Sequence, residues 1–121
     1  MRFMMIMIPD VYRRPVAPDF VPAPEAVRKM DAYNQQLQAA GVLVTLDGLT
    51  PPAMGARVSF STGKPVVTDG PFAESKEVVG GYWMIRVNSR DEAIAWAKRC
   101  PADANDVIEL RQVFDPDDFE A

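Results

Sequence analysis

The stretch Arg2-Phe3-Met4-Met5-Ile6-Met7-Ile8 is apolar at every position after its first. A strand sends alternate side chains to opposite faces of its sheet. Phe3, Met5 and Met7 therefore take one face, and Met4, Ile6 and Ile8 take the other. Neither set suits water, so this segment predicts a strand in a sheet that needs cover on both sides. Pro9 and Asp10 end the run before it reaches the length of a signal-peptide core or a membrane span.

The segment from Pro9 to Pro24 holds prolines at 9, 15, 18, 22 and 24 and predicts an extended surface loop without regular structure. A helix follows, with Pro24 in its first turn and Glu25 at the positive end of its dipole. Ala26, Met30, Tyr33, Leu37 and Ala40 form its apolar stripe, and Gly41 is its C-cap. Val42 to Leu46 predicts a strand that turns at Asp47-Gly48. Residues 56–60 and 65–68 flank Ser61-Thr62-Gly63-Lys64, a hairpin signal. Gly80-Gly81 opens a strand from Tyr82 to Val87. Ser89 and Glu92 form a capping box for a second helix, which buries Ala93, Ile94, Trp96, Ala97 and Cys100 and stops at Pro101. Val107 to Phe114 predicts the last strand, and the acidic tail from Asp115 predicts frayed structure.

The order β-α-β-(hairpin)-β-α-β predicts an α+β fold of the ferredoxin-like kind, one domain over residues 1–121, with both helices on one face of an antiparallel sheet. The other face would carry Tyr82, Met84 and Arg86 beside one apolar set of the first strand. Such a patch marks an interface, and a second copy packed around a two-fold axis would cover it. The competing arrangement is a monomer in which the hairpin or the proline-rich loop lies over the sheet.

Composition narrows the chemistry. The 121 residues contain no histidine, so Ser-His triads, imidazole bases and His-based metal sites are excluded. One cysteine, Cys100, permits neither an internal disulfide nor a Cys-based metal site and fits a reducing cytoplasm. Its place at a helix C-terminus, on the apolar side, predicts an inert thiol rather than a nucleophile. A net charge of −4 with scattered basic residues disfavours a nucleic-acid partner. No later apolar run predicts a membrane span, and nothing in the sequence calls for a cofactor.

The run Asp69-Gly70-Pro71-Phe72-Ala73-Glu74-Ser75-Lys76-Glu77, followed by Gly80-Gly81-Tyr82, resembles the defining motif of the DGPF branch of the YCII-related proteins. Gly41-Val42-Leu43, residues 91–97 and residues 109–113 agree with that resemblance. It implies a homodimeric α/β barrel, two ferredoxin-like units with facing sheets. Some YCII-related proteins carry a His and Asp pair near a cleft. Without histidine this chain cannot hold that pair. The DGPF branch also resembles companions of extracytoplasmic-function sigma factors, which implies an accessory or regulatory role and a protein partner in transcription control.

The candidate catalytic residue is Asp69, at a strand end before a Gly-Pro turn, where it serves either as an acid or base or as a cap on the turn. Lys76 and Tyr82 are candidate ligand contacts, with a solvated surface and an interface anchor as their plainer roles. Glu109 and Arg111 share one face of the last strand, opposite Ile108 and Leu110. Two roles stand open for Arg111: an ion pair with Glu109 or Asp69, or a fork for an anionic ligand. Arg57 is expected to be solvated, and Phe72 to anchor a core or interface.

Two functions follow as expectations, ranked ahead of a purely structural role. One is a dimeric module that binds a small ligand or a protein partner. The other is a cofactor-independent enzyme in which Asp69 moves a proton while Arg111 and Tyr82 orient an anionic or carbonyl substrate.

Overall fold

The computed structural model describes residues 1–72 and 77–119. The elements are β1 (Arg2–Ile8), α1 (Pro24–Ala39), β2 (Leu43–Gly48), β3 (Ala56–Ser59), β4 (Val66–Asp69), β5 (Gly81–Arg86), α2 (Arg90–Lys98) and β6 (Val107–Gln112). Four strands form an antiparallel sheet in the order β2-β5-β1-β6, and β3 and β4 form a separate hairpin. This is an α+β architecture with ferredoxin-like connectivity.

β1 lies inside the sheet, paired with β5 on one side and β6 on the other. Its Phe3, Met5 and Met7 are buried on the helix side. Trp83 and Ile85 of β5, with Val87 just beyond it, are buried on the same side. From α1 come Tyr33 and Leu37, and from α2 Ala93, with Trp96 and Ala97 packed against the cluster. Tyr33 stacks edge-on against Trp83, at 5.8 Å between ring centroids. Its hydroxyl donates to the Trp96 carbonyl at 2.6 Å, and Trp83 Nε1 donates to Asn34 Oδ1 at 2.7 Å. Both polar tips of these large rings thus find partners, which burial demands. Arg99, stacked over the Trp96 ring, donates to Gln36 Oε1 and joins the helices across their outer side.

The local signals for both helices hold. Pro24 opens α1, and Gly41 follows its end at φ +74°, a region glycine occupies freely. At α2 the Ser89 hydroxyl accepts from the Glu92 N–H, and the Glu92 carboxylate accepts from the Asn88 N–H.

Four expectations are corrected. Ala26 and Ala40 are exposed, because the side of α1 turned to the sheet is the one that carries Met30, Tyr33 and Leu37. Asp47-Gly48 is not a turn: β2 runs through it and pairs with Tyr82 and Gly81, after a bulge between Leu43 and Thr45 re-phases the strand. The proline-rich segment includes a 3₁₀ turn over Asp10–Arg13, which buries Tyr12 and lets its hydroxyl donate to the Leu49 carbonyl at 2.9 Å. The acidic tail also forms a 3₁₀ turn, Pro116–Phe119, where Phe119 packs on Phe114.

Leu37 is fully buried between the sheet and α2-side neighbours, so Leu37→Ala should cost about 2–5 kcal/mol in urea unfolding. Ala26→Ser on the exposed side of α1 should stay within about 0.5 kcal/mol of the parent. Equal effects from the two would contradict the assignment of the core.

Candidate functional site

The face of the sheet away from the helices is ordered by strand register. One row across it runs Asp47, Tyr82, Ile6, Glu109. The next runs Thr45, Met84, Met4, Arg111, and a third pairs Arg86 with Arg2. Met4, Ile6, Tyr82 and Met84 form the centre and are half-buried within the single chain. Charged side chains form the border.

Tyr82 and Asp47 sit directly opposite each other, and the phenol donates to Asp47 Oδ2 at 2.6 Å. That hydrogen bond to a carboxylate is the main cause that lifts the Tyr82 pKa above 10.0, with partial desolvation and the Asp47 charge adding to it. Ile6 separates Tyr82 from Glu109, which places their backbones about 10 Å apart, two strand spacings. Arg111 meets Glu109 at 3.5 Å. Both of these side chains are well exposed, 72% and 46%, where a buried ion pair was one of the roles expected for Arg111. A pair so exposed contributes about 0–1 kcal/mol, too little to be a structural fixture of this chain.

Asp69 stands elsewhere. It is the last residue of β4, exposed, opposite Ala56 in the hairpin. Among the described residues no hydrogen bond or ion pair joins it to Tyr82, Glu109 or Arg111. The next residue, Gly70, is wedged against the Pro52 backbone: a Cβ there would lie 1.8 Å from the Pro52 carbonyl oxygen. Only glycine permits that approach, and the Gly70 N–H donates to the Gly55 carbonyl at 2.9 Å. Lys76 lies outside the described residues.

Two clefts share Pro52, Phe72 and Val78. One, of about 270 Å³, is lined also by Leu49, Arg57 and Glu77. The other, of about 200 Å³, is lined also by residues 12–16 of the proline-rich segment. Arg57, expected to be solvated, is exposed and also stacks its guanidinium 4.0 Å over the Phe72 ring. Phe72, expected to anchor a core or interface, is half-buried, between that cation and two clefts. Arg57 carries no sequence signal for this role. Asp47 does carry one, because Thr45 and Asp47 continue the alternation of the strand past Leu46.

Cys100 is half-buried behind α2. Its thiol is raised from 9.0 to about 11, first by burial and then by the nearby Asp106 charge. This agrees with an inert thiol.

No helix among the described residues is long and apolar enough to cross a membrane, and no cluster of three or more His, Cys, Asp or Glu could hold a metal among them.

The description of the YCII-related domain matches residues 1–117, nearly the whole chain. The chain belongs to the YCII-related family. An uncharacterized protein of Rhizobium meliloti (strain 1021) is 36% identical over 72 residues, which span 60% of this chain and 58% of that relative. The family has no defined activity to transfer, so what this YCII-related protein does must be argued from its own surface.

Two titrations check the site. Asp47→Asn should lower the alkaline midpoint of one of the three tyrosines and leave the other two in place, read by tyrosinate absorbance. An unchanged curve would show that Asp47 does not hold the phenol. Cys100 gives the second. Its folded pKa exceeds its unfolded value, so the native state keeps a proton that the unfolded state loses. Its contribution to stability should be intact below pH 9.0 and fade as pH rises toward about 11, a loss that Cys100→Ser should remove from the pH profile.

Proposed function

We propose that this YCII-related protein is a single-domain homodimeric binding protein in which two open sheet faces pack together and frame a ligand or partner site at their border. The supporting observation is the open face itself. Met4, Ile6, Met84 and the Tyr82 ring form one apolar centre at the crossing of β5 and β1. Asp47, Glu109, Arg111, Arg86 and Arg2 ring that centre. An apolar middle with a charged border is the anatomy of an interface.

The hairpin does not serve as cover, since all eight of its strand residues are exposed. A hairpin pressed onto the sheet would have one buried side. Fully burying an exposed apolar side chain contributes about 1.5–3 kcal/mol. The four central residues are already half covered, so each has only part of that to gain. The driving force then comes from the patch as a whole.

In the proposed dimer, Tyr82, Glu109 and Arg111 lie at the border, where Arg111 offers a fork to a carboxylate or phosphate. Catalysis by Asp69 has less behind it. Tyr82 is engaged with Asp47 and Arg111 with Glu109, and neither is brought to Asp69 within the chain. An accessory part in sigma-factor-dependent transcription control rests on the resemblance of the 69–82 motif. The negative net charge favours small molecules or proteins over nucleic acid as partners.

Light scattering on the pure protein at micromolar concentration should return twice the chain mass of 13.4 kDa. Met84→Lys, which sets a charge in the middle of the patch, should return the single-chain mass with unchanged circular dichroism. Val58→Lys on the exposed hairpin should leave the dimer intact. A single-chain mass for the unmodified protein would overturn the proposal.

A further inference from the structure

Away from the sheet face, three segments remote in sequence converge on the cleft of about 200 Å³. They are residues 12–16, residues 52–53, and Pro71-Phe72 with Val78. Each wall is pinned. The turn that carries Tyr12 is held by the bond from its hydroxyl to Leu49, and by Gly80, where a Cβ would lie 2.6 Å from the Pro9 ring. The Pro52 wall is locked to the Pro71 wall by the contact of Gly70 with the Pro52 carbonyl. Pro15, Pro52 and Pro71 each have a fixed φ, so these walls lose little conformational entropy when a ligand arrives. The lining is mostly prolyl, aromatic and aliphatic.

Among the described residues the charged groups at this cleft are unequal. Arg13 and Arg14 line it, and one carboxylate answers both: Arg13 reaches Asp10 Oδ1 at 3.7 Å and Arg14 reaches Asp10 Oδ2 at 3.3 Å. The nearby Asp106 carboxylate does not restore the balance, since its oxygens accept from the backbone N–H groups of Asp10 and Asp103. Each guanidinium has five donors, and one carboxylate cannot occupy ten. Across the Phe72 ring stands the Arg57 guanidinium, and Glu77 lines the adjoining cleft.

We propose that this cleft is a binding site for a small apolar carboxylate, an aromatic or branched-chain acid whose body lies against Phe72, Val78 and the prolines and whose carboxylate meets Arg13 and Arg14. The site takes one free acid of about ten heavy atoms, a size that suits a cleft of this volume. This is a second site, apart from the border site proposed above: the cleft belongs to one chain and does not require the open sheet face.

Calorimetric and NMR titrations of the full chain separate the two contributions. The probes are benzoate and cyclohexanecarboxylate, with benzamide as the uncharged analogue and acetate as the charge without the body. Both apolar acids should bind saturably, with dissociation constants on the order of 1 mM or below. Benzamide and acetate should each bind at least about tenfold more weakly. Arg13→Gln with Arg14→Gln should weaken benzoate by about tenfold or more while leaving benzamide unchanged. Ala53→Phe, which fills the cleft from its Pro52 side, should abolish binding of every probe. Benzamide equal to benzoate would overturn the proposal. So would acetate equal to benzoate, binding that survives both sets of variants, or no saturable binding of either apolar acid at about 10 mM. Light scattering on the same samples reads the dimer independently, so a blank titration on a dimeric protein removes this site alone.

Discussion

β1 is bonded on both edges and apolar on both faces, and the other elements are arranged around that fact. Its hydrogen bonds to β5 and β6 occupy the backbone on either side, so it cannot be moved to a sheet edge without loss of a whole ladder. Its Phe3, Met5 and Met7 draw both helices to one side, where Tyr33, Leu37 and Ala93 complete a dry cluster. Met4 and Ile6 are then forced to the opposite side by the two-residue period of the strand. A one-residue slip would exchange the two sets and still leave an apolar row facing outward. The open face is therefore a consequence of β1 itself and not of a loop that happens to be missing from it.

The parts of the fold that were legible in the sequence are those set by alternation and by caps. The assignment of Trp83, Ile85 and Val87 to the helix side follows from period two. The start of α2 follows from Ser89 and Glu92, and the end of α1 from Gly41. Apart from the acidic tail, which folds on itself, the errors concern segments whose structure depends on a distant contact. Asp47-Gly48 carries a turn composition, but Tyr82 and Gly81 lie across from it and extend the strand. The segment after Pro9 has too many prolines for regular structure by local rules, yet Gly80 offers a groove that seats Pro9 and Tyr12. Ala26 and Ala40 fit a helical stripe, but the sheet buries only Tyr33 and Leu37 of it.

The candidate site was legible only in pieces. Glu109 and Arg111 were placed on the correct face by their spacing, and Tyr82 by its place in β5. That Tyr82 would be held by Asp47, and Arg57 by Phe72, depended on which strand or loop lay alongside. The motif from Asp69 to Glu77 proved informative in a different way from its first residue's promise. Gly70 and Phe72 shape two clefts against Pro52, while Asp69 points its carboxylate to solvent at the hairpin base. Pro71 and Phe72 of the motif therefore serve as cleft wall.

Charge placement on the open face restricts how two copies can meet in the proposed dimer. Asp47 and Glu109 stand at opposite edges of one row, on β2 and β6. Arg86 and Arg2 stand in the row two steps along, directly opposite each other, and like charges so placed repel. Asp115, 3.5 Å from Arg2, relieves that one side chain, and Arg86 has no carboxylate beside it among the described residues. Face-to-face packing about a two-fold axis parallel to the strands would set Asp47 against the mate's Glu109, acid on acid. An axis running across the strands instead exchanges the two ends of the sheet and brings the acidic row of each copy over the basic row of the other. Both orientations bury the same apolar centre, so burial cannot choose between them. Electrostatics at the border can, because juxtaposed like charges oppose association while complementary ones fix register. The crosswise axis would also bring the acidic row toward Arg86, which has no carboxylate beside it among the described residues.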